Sequence, residues 1–271
     1  MNKSCPFLGV VLLFLFFFPA CASDPIRVPA ELSMREQWDS GHFVSEAQDG
    51  MLIVIGVASR QADRWGNDVS PAEITLAKDD AARKIAMFHG TGGTVESRHR
   101  QGVSFFDFIA ESTIQLEHAV ADHAQFIDQL TFDLERDVFV HNGGTLVRFR
   151  FPSAGLTRTN FVGAIDASGR PSWVGRHDFN VEGYIMAVGF SQNQVWLRDT
   201  VMRATEATAA RLIKGIDTYI NERIVEVEGV GTFTYIESIS RGTLNGFRII
   251  EFWIDPDTMS VYSLGIARRA E

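Results

Sequence analysis

The groups in this sequence that could do chemistry are two thiols, seven histidines and a few acid pairs, and Cys21 has the clearest context. It follows Phe18-Pro19-Ala20, the small-residue-then-cysteine end of a bacterial lipobox. There the thiol would take a diacylglyceryl group, and cleavage would leave Cys21 as the first mature residue. Lipoboxes usually carry Leu where Phe18 stands, and Pro19 is unusual beside it. Ala20-Cys21-Ala22 also reads as an A-x-A site, at which ordinary signal peptidase would release a soluble chain from Ser23. Either way residues 1–20 read as a signal peptide, with Lys3 ahead of an apolar run over 7–18 that is too short to span a bilayer as a helix. One acyl chain holds a protein only marginally, so stable anchoring at Cys21 needs the further chains of a mature lipoprotein. Ala22, rather than Asp, after the cysteine points to the outer membrane.

The remaining groups give no recognisable reaction centre. His118 and His123 are five apart, roughly 500° of helix rotation, whereas metalloprotease ligation needs a spacing of four with Glu between. His123 falls on an apolar stripe with Leu116, Val120, Ile127 and Leu130 and reads as a satisfied core or boundary histidine. His89 and His99 read as solvated. Gly90-Thr91-Gly92-Gly93 follows a helix C-terminus, where outward carbonyls repel anions, so it is no phosphate cradle. Asp79 and Asp80 diverge by a third of a helical turn and read as a solvated face, as do the loop acids Asp63 and Asp68. There is no Gly-x-Ser-x-Gly elbow. With Cys5 in the signal and Cys21 acylated or removed, neither a disulfide nor a thiol-based metal site remains. The expectation is a chain that is not an enzyme, with no catalytic, cofactor or metal residues.

Among the elements that would hold these groups, one pattern occurs twice. Gly50-Met51-Leu52-Ile53-Val54-Ile55-Gly56 recurs as Gly183-Tyr184-Ile185-Met186-Ala187-Val188-Gly189, each a short apolar strand between glycines. Each precedes a helix. Ser70-Pro71-Ala72-Glu73 is a capping box, and Ser191-Gln192-Asn193-Gln194 reads as the same device. Ala81-Ala82-Arg83 then matches Ala209-Ala210-Arg211. The stripes Ile74, Ala77, Ala81, Ile85, Phe88 and Met202, Thr205, Ala209, Ile213, Ile216 share one spacing, with Ala81 and Ala209 predicted at the closest helix–sheet approach. Gly90 is expected as a left-handed helix cap.

Each half closes on a hairpin. In the first, 138–141 and 145–151 flank Asn142-Gly143, with Val147, Phe149 and Phe151 buried and Arg148 and Arg150 wet. In the second, 247–254 and 259–267 flank Asp255-Pro256-Asp257-Thr258. Between helix and hairpin lie a further strand (93–98 and 224–228) and a further helix (104–130 and 233–240). The predicted fold is α+β, two tandem β-α-β-α-β-β units at 50–152 and 183–271, each a mixed, largely antiparallel sheet with helices on one face. Residues 21–49 form a tether and 153–182 a linker.

The strand 184–189, the Ala209-Ala210-Arg211 signature, and the closing Leu244-Asn245-Gly246-Phe247-Arg248-Ile249-Ile250-Glu251-Phe252-Trp253 with Val261-Tyr262-Ser263-Leu264 resemble the LPP-twenty lipoprotein family and related flagellar accessory lipoproteins. The resemblance covers 183–271 and is fainter over 50–152, which lacks the Leu-x-Gly closing motif. It implies an outer-membrane lipoprotein without enzymatic activity, and it carries no catalytic or ligand-binding residues.

Composition agrees with that class. Without residues 1–20, which hold one Lys and no acid, 25 basic and 34 acidic residues become 24 and 34, a net of −10. An acidic balance excludes nucleic acid as a natural partner. The stretch 101–135 carries acids and no Lys or Arg, unlike membrane-surface helices with basic faces, so its apolar stripe is expected to pack into the core. The expected role is a structural or protein-interaction lipoprotein on the periplasmic side of the envelope, joined to the membrane by its anchor and to an envelope protein or itself. The alternative is a carrier or sensor of a small apolar or lipidic ligand at the seam between the two units.

Overall fold

The computed structural model describes residues 41–268 apart from 46, 49, 61–68, 102–108, 119–121, 142, 155, 157–158, 160, 162–164, 167–168, 177, 182, 217 and 228–230. In chain order these give β1 (His42–Val44), β2 (Ala47–Gln48), β3 (Met51–Ser59), α1 (Pro71–His89), β4 (Thr91–Gln101), β5 (Ile109–His118), a 3-10 helix (His123–Gln129), β6 (Val138–His141) and β7 (Gly144–Pro152). Then come β8 (Asp178–Val181), β9 (Tyr184–Ser191), α2 (Leu197–Ile216), β10 (Thr218–Val227), β11 (Gly231–Leu244), β12 (Arg248–Ile254) and β13 (Val261–Arg268). The fold is α+β: three sheets, ordered β1-β12-β13-β9-β8, β10-β11-β4-β5 and β2-β3-β7-β6, with two α-helices and the 3-10 helix.

Local chemistry explains the first helix. Ser70 Oγ accepts the Glu73 N–H at 3.2 Å while Glu73 Oε2 accepts the Ser70 N–H at 2.9 Å, and Pro71 opens the helix where its missing N–H costs nothing. The inward stripe is as the spacing requires: Ala77, Ala81 and Ile85 are fully buried, with Ile74 and Phe88 packed at its ends. Gly90 caps the helix, but at φ 153° and ψ 126° it leads straight into β4 and is not left-handed helical.

Several expectations are corrected. Within the predicted helix over 104–130, the described residues form instead β5 and the 3-10 helix, while 104–108 and 119–121 lie outside the described residues. Residues 109–118 pair along their whole length with β4, and β-branched Thr113 and Ile114 favour that extended state. Asp122 then starts a new element, its Oδ1 accepting the Ala124 N–H at 2.9 Å. The predicted helix over 233–240 lies inside β11, where Thr, Phe, Tyr and Ile outweigh any helical pattern. The sheets are not mixed, since every pairing among the described strands is antiparallel. The second capping box is absent: Ser191 ends β9, α2 begins at Leu197, and the Gln194 N–H donates to Thr200 Oγ1 at 3.0 Å.

The same strand pairing recurs in the two halves. In 50–152 the first strand β3 pairs with the last, β7, which pairs with β6; in 183–271 β9 pairs with β13, which pairs with β12. They are not two separate sheets with helices, however. The long strands after each helix meet in one sheet, where β11 runs against β4 from Thr234↔Gln101 to Leu244↔Thr91. Cores are shared too: Ile55, Val57 and Leu146 pack with Val201, Ala204 and Phe252. Ser33–Glu271 accordingly makes up one compact unit; Met1–Leu32, the other, lies outside the described residues.

Two segments predicted as connections take part in the sheets. At the end of the tether, β1 pairs with β12 and β2 with β3, so a few residues stitch two sheets together. The linker supplies β8 and the fully buried Trp173.

Candidate functional site

Helix and strand touch most closely at Gly56 and Gly189. A Cβ on Gly56 would fall on the Ala77 carbonyl oxygen, and one on Gly189 on the Ala204 carbonyl oxygen. Seven residues beyond each alanine a basic side chain reaches back to the strand: Lys84 Nζ donates to the Ile55 carbonyl at 2.7 Å, and Arg211 to the Val188 carbonyl. The spatial match is therefore Ala77 with Ala204 and Lys84 with Arg211. It sits one residue away from the Ala-Ala-Arg alignment and one turn before the predicted contact at Ala81 and Ala209. Buried Thr208 replaces Ala81 in this scheme, its hydroxyl bonded to the Ala204 carbonyl at 3.0 Å and to Ser263 Oγ at 2.6 Å.

Asp79 and Asp80 are not a solvated face. Asp80 is 3% exposed, and its Oδ2 accepts the Val57 N–H at 2.9 Å and Lys84 Nζ at 2.7 Å. Asp79 joins three elements, meeting His123 Nε2 at 2.8 Å, Arg198 Nη2 at 3.1 Å and Arg83 Nε at 3.3 Å. Burial pushes its carboxyl up, but the hydrogen bond with His123 and the charges of Arg83, His123 and Arg198 outweigh this and hold it below the ordinary range. An Asp–His pair is also the orienting half of a nucleophilic triad. Here two guanidiniums share the carboxylate, and among the described residues the hydrogen bond of His123 is to Asp79. The arrangement ties α1, the 3-10 helix and α2 together.

A second cluster, unseen in the sequence, centres on Asp137. It is fully buried and receives Arg148 Nε at 2.9 Å, Arg150, and the Asp133 N–H at 2.8 Å. Arg148 and Arg150 are thus held by a carboxylate on the face predicted to be wet. Burial raises the Asp137 carboxyl, and the bonds from Arg150 and Asp133 with the arginine charges bring it below the usual value. The third cluster covers the outer face of the β12-β13-β9 sheet, where Trp173 Nε1 donates to the Glu251 carboxylate.

The seam between the halves holds a cavity of about 20 Å³ lined by Leu52, Val54, Met87, Val201, Thr205 and Phe252 among others. That is room for one water, against the several hundred Å³ of a ligand site. None of the clusters above except Lys84 reaches it.

No family model, curated protein or solved structure matches this chain.

Of the acids and histidines singled out in the sequence, the fold brings together Asp79 and His123. His89 is exposed and stacks on Phe126, ring centroids 5.0 Å apart, while Gly90-Thr91-Gly92-Gly93 simply opens β4. Cys21, Asp63 and Asp68 lie outside the described residues. Among the described residues no group of three or more His, Cys, Asp or Glu could hold a metal, and no helix is long and apolar enough to cross a membrane. Asp137 left a faint trace in the sequence: one acid five residues before Asn142, facing two arginines on alternate positions of the returning strand.

Proposed function

We propose that this chain is a non-enzymatic lipoprotein of the bacterial cell envelope, akin to the LPP-twenty family. It is lipidated at Cys21, placed on the periplasmic side of the outer membrane, and acts by binding an envelope protein or its own copies. In this reading 50–152 and 183–271 are two copies of one unit, supported by the shared strand course and the paired glycine–alanine closures.

The observation that carries the interaction role is the order of the common sheet. Each half contributes a first and a second long strand after its helix. The internal joint pairs the second strand of one half, β11, with the first of the other, β4. That leaves β5, a second strand, and β10, a first strand, at the two ends. A sheet edge is a template for further pairing. The same antiparallel joint can therefore repeat between copies, head to tail, and such contacts close or propagate according to their rotation.

Light scattering on the detergent-extracted full chain tests this. A mass that is a multiple of the monomer is expected, falling towards the monomer in Ile114→Glu, which puts charge on the exposed β5 edge. A chain that stays monomeric at all concentrations and retains no envelope protein would overturn the reading. The filled seam offers no support for a carrier of lipidic ligands.

A further inference from the structure

Three apolar side chains stand exposed within one short stretch: Phe190 at 38%, Val195 at 89% and Trp196 at 44%. Two of them are tied to neighbouring elements. The Trp196 carbonyl accepts the Thr200 N–H at 3.1 Å at the start of α2, and Phe190 packs on Tyr262 with ring centroids 4.8 Å apart. A helix start ordinarily takes Ser, Thr, Asp or Asn, so Val195-Trp196 there serves no capping purpose.

Their position in the fold points to what covers them. Across the five-stranded sheet, His42, Trp253, Tyr262 and Phe190 lie in one row on adjacent strands. Beyond that row, at the same end, lie the 191–196 loop, the 255–259 turn and Gly41, whose carbonyl accepts the Ile254 N–H at 2.8 Å. Gly41 is where the preceding 40 residues enter the described fold. The chain that carries Cys21 thus reaches the fold at the end that displays Phe190, Val195 and Trp196. Nineteen residues lie between Cys21 and Gly41, a span of at most roughly 70 Å that allows the contact without imposing it.

We infer that this end of the five-stranded sheet rests on the bilayer surface, with Val195 and Trp196 in the headgroup layer. The inference rests on the reading of Cys21 as lipidated. Tryptophan favours that layer because its ring is apolar and its N–H polar. Residues 190–197 and 255–259 contain no Lys or Arg, include Asp255 and Asp257, and are followed by Arg198, which is engaged by Asp79. The contact is therefore apolar and zwitterionic-lipid-tolerant, and anionic lipid weakens it.

The test uses the full lipidated chain reconstituted in phosphatidylcholine–phosphatidylethanolamine vesicles with and without brominated acyl chains. Bromolipid quenching of tryptophan emission is expected in the wild type, reduced in W196F and in V195E, and diminished when phosphatidylglycerol is added. All three proteins should still float with the vesicles, since the anchor holds them. Quenching equal in wild type and W196F overturns the inference while leaving the anchor intact. Cys21→Ala separates the two readings: it should no longer float, and flotation equal to wild type would refute the anchor. A wild type that does not float at all overturns both.

Discussion

Gly56 lies so close to Ala77 that any side chain at 56 would overlap the helix carbonyl. Because backbone atoms cannot yield as a flexible side chain can, Gly56→Ala should destabilise the fold by about 3 kcal/mol or more. Gly189→Ala should cost about as much, against Ala204. Gly215, exposed in α2 with nothing within 4 Å of its added Cβ, is the contrast: Gly215→Ala should be neutral or stabilising by about 0.5 kcal/mol. Thermal melts of the three variants check this.

Asp137→Asn should destabilise by about 2 kcal/mol at neutral pH, since it leaves Arg148 and Arg150 without their carboxylate. The folded carboxyl titrates below the ordinary 3.8 of an unfolded aspartate. Its contribution is complete above that value and is lost as the pH falls through the lower, folded one. The gap between wild type and variant in urea should therefore be constant near neutrality and close only below about pH 4.

Asp79 and Arg198 join α1 to α2 across the two halves. Both are partly exposed, so their coupling in a double-mutant cycle should be modest, about 0.5 kcal/mol. Since Asp79 too is depressed, that coupling should persist from neutral pH down to the ordinary aspartate range and vanish below it. Coupling that grows as the pH falls would contradict the assignment.

Trp173→Ala should cost about 3 kcal/mol or more by emptying a fully buried site. Trp173→Phe keeps most of the volume but deprives buried Glu251 of a donor, and should cost about 1–2 kcal/mol. Urea denaturation distinguishes the two.

The pattern of legible and illegible elements has a physical basis. Where local signals and burial agreed, as in the Ser70–Glu73 cap, the stripe through Ala77 and Ile85, and the pairing of β6 with β7, the expected elements formed. The stretch 109–118 misled because its apolar residues suit either period, and only long-range pairing with β4 decides for a strand. The Ala-Ala-Arg likeness misplaced the second helix by one residue, since identity in sequence does not say which alanine meets the glycine. Asp79 and Asp80 read as solvent acids because their partners, Val57, His123 and Arg198 among them, are distant along the chain.

Metabolic labelling with palmitate, comparing the full chain with Cys21→Ala, bears most directly on the envelope-lipoprotein reading. Label in the wild type, none in the variant, and a mature N-terminus at acylated Cys21 are the expected results. An unlabelled wild type whose mature chain begins at Ser23 would contradict it.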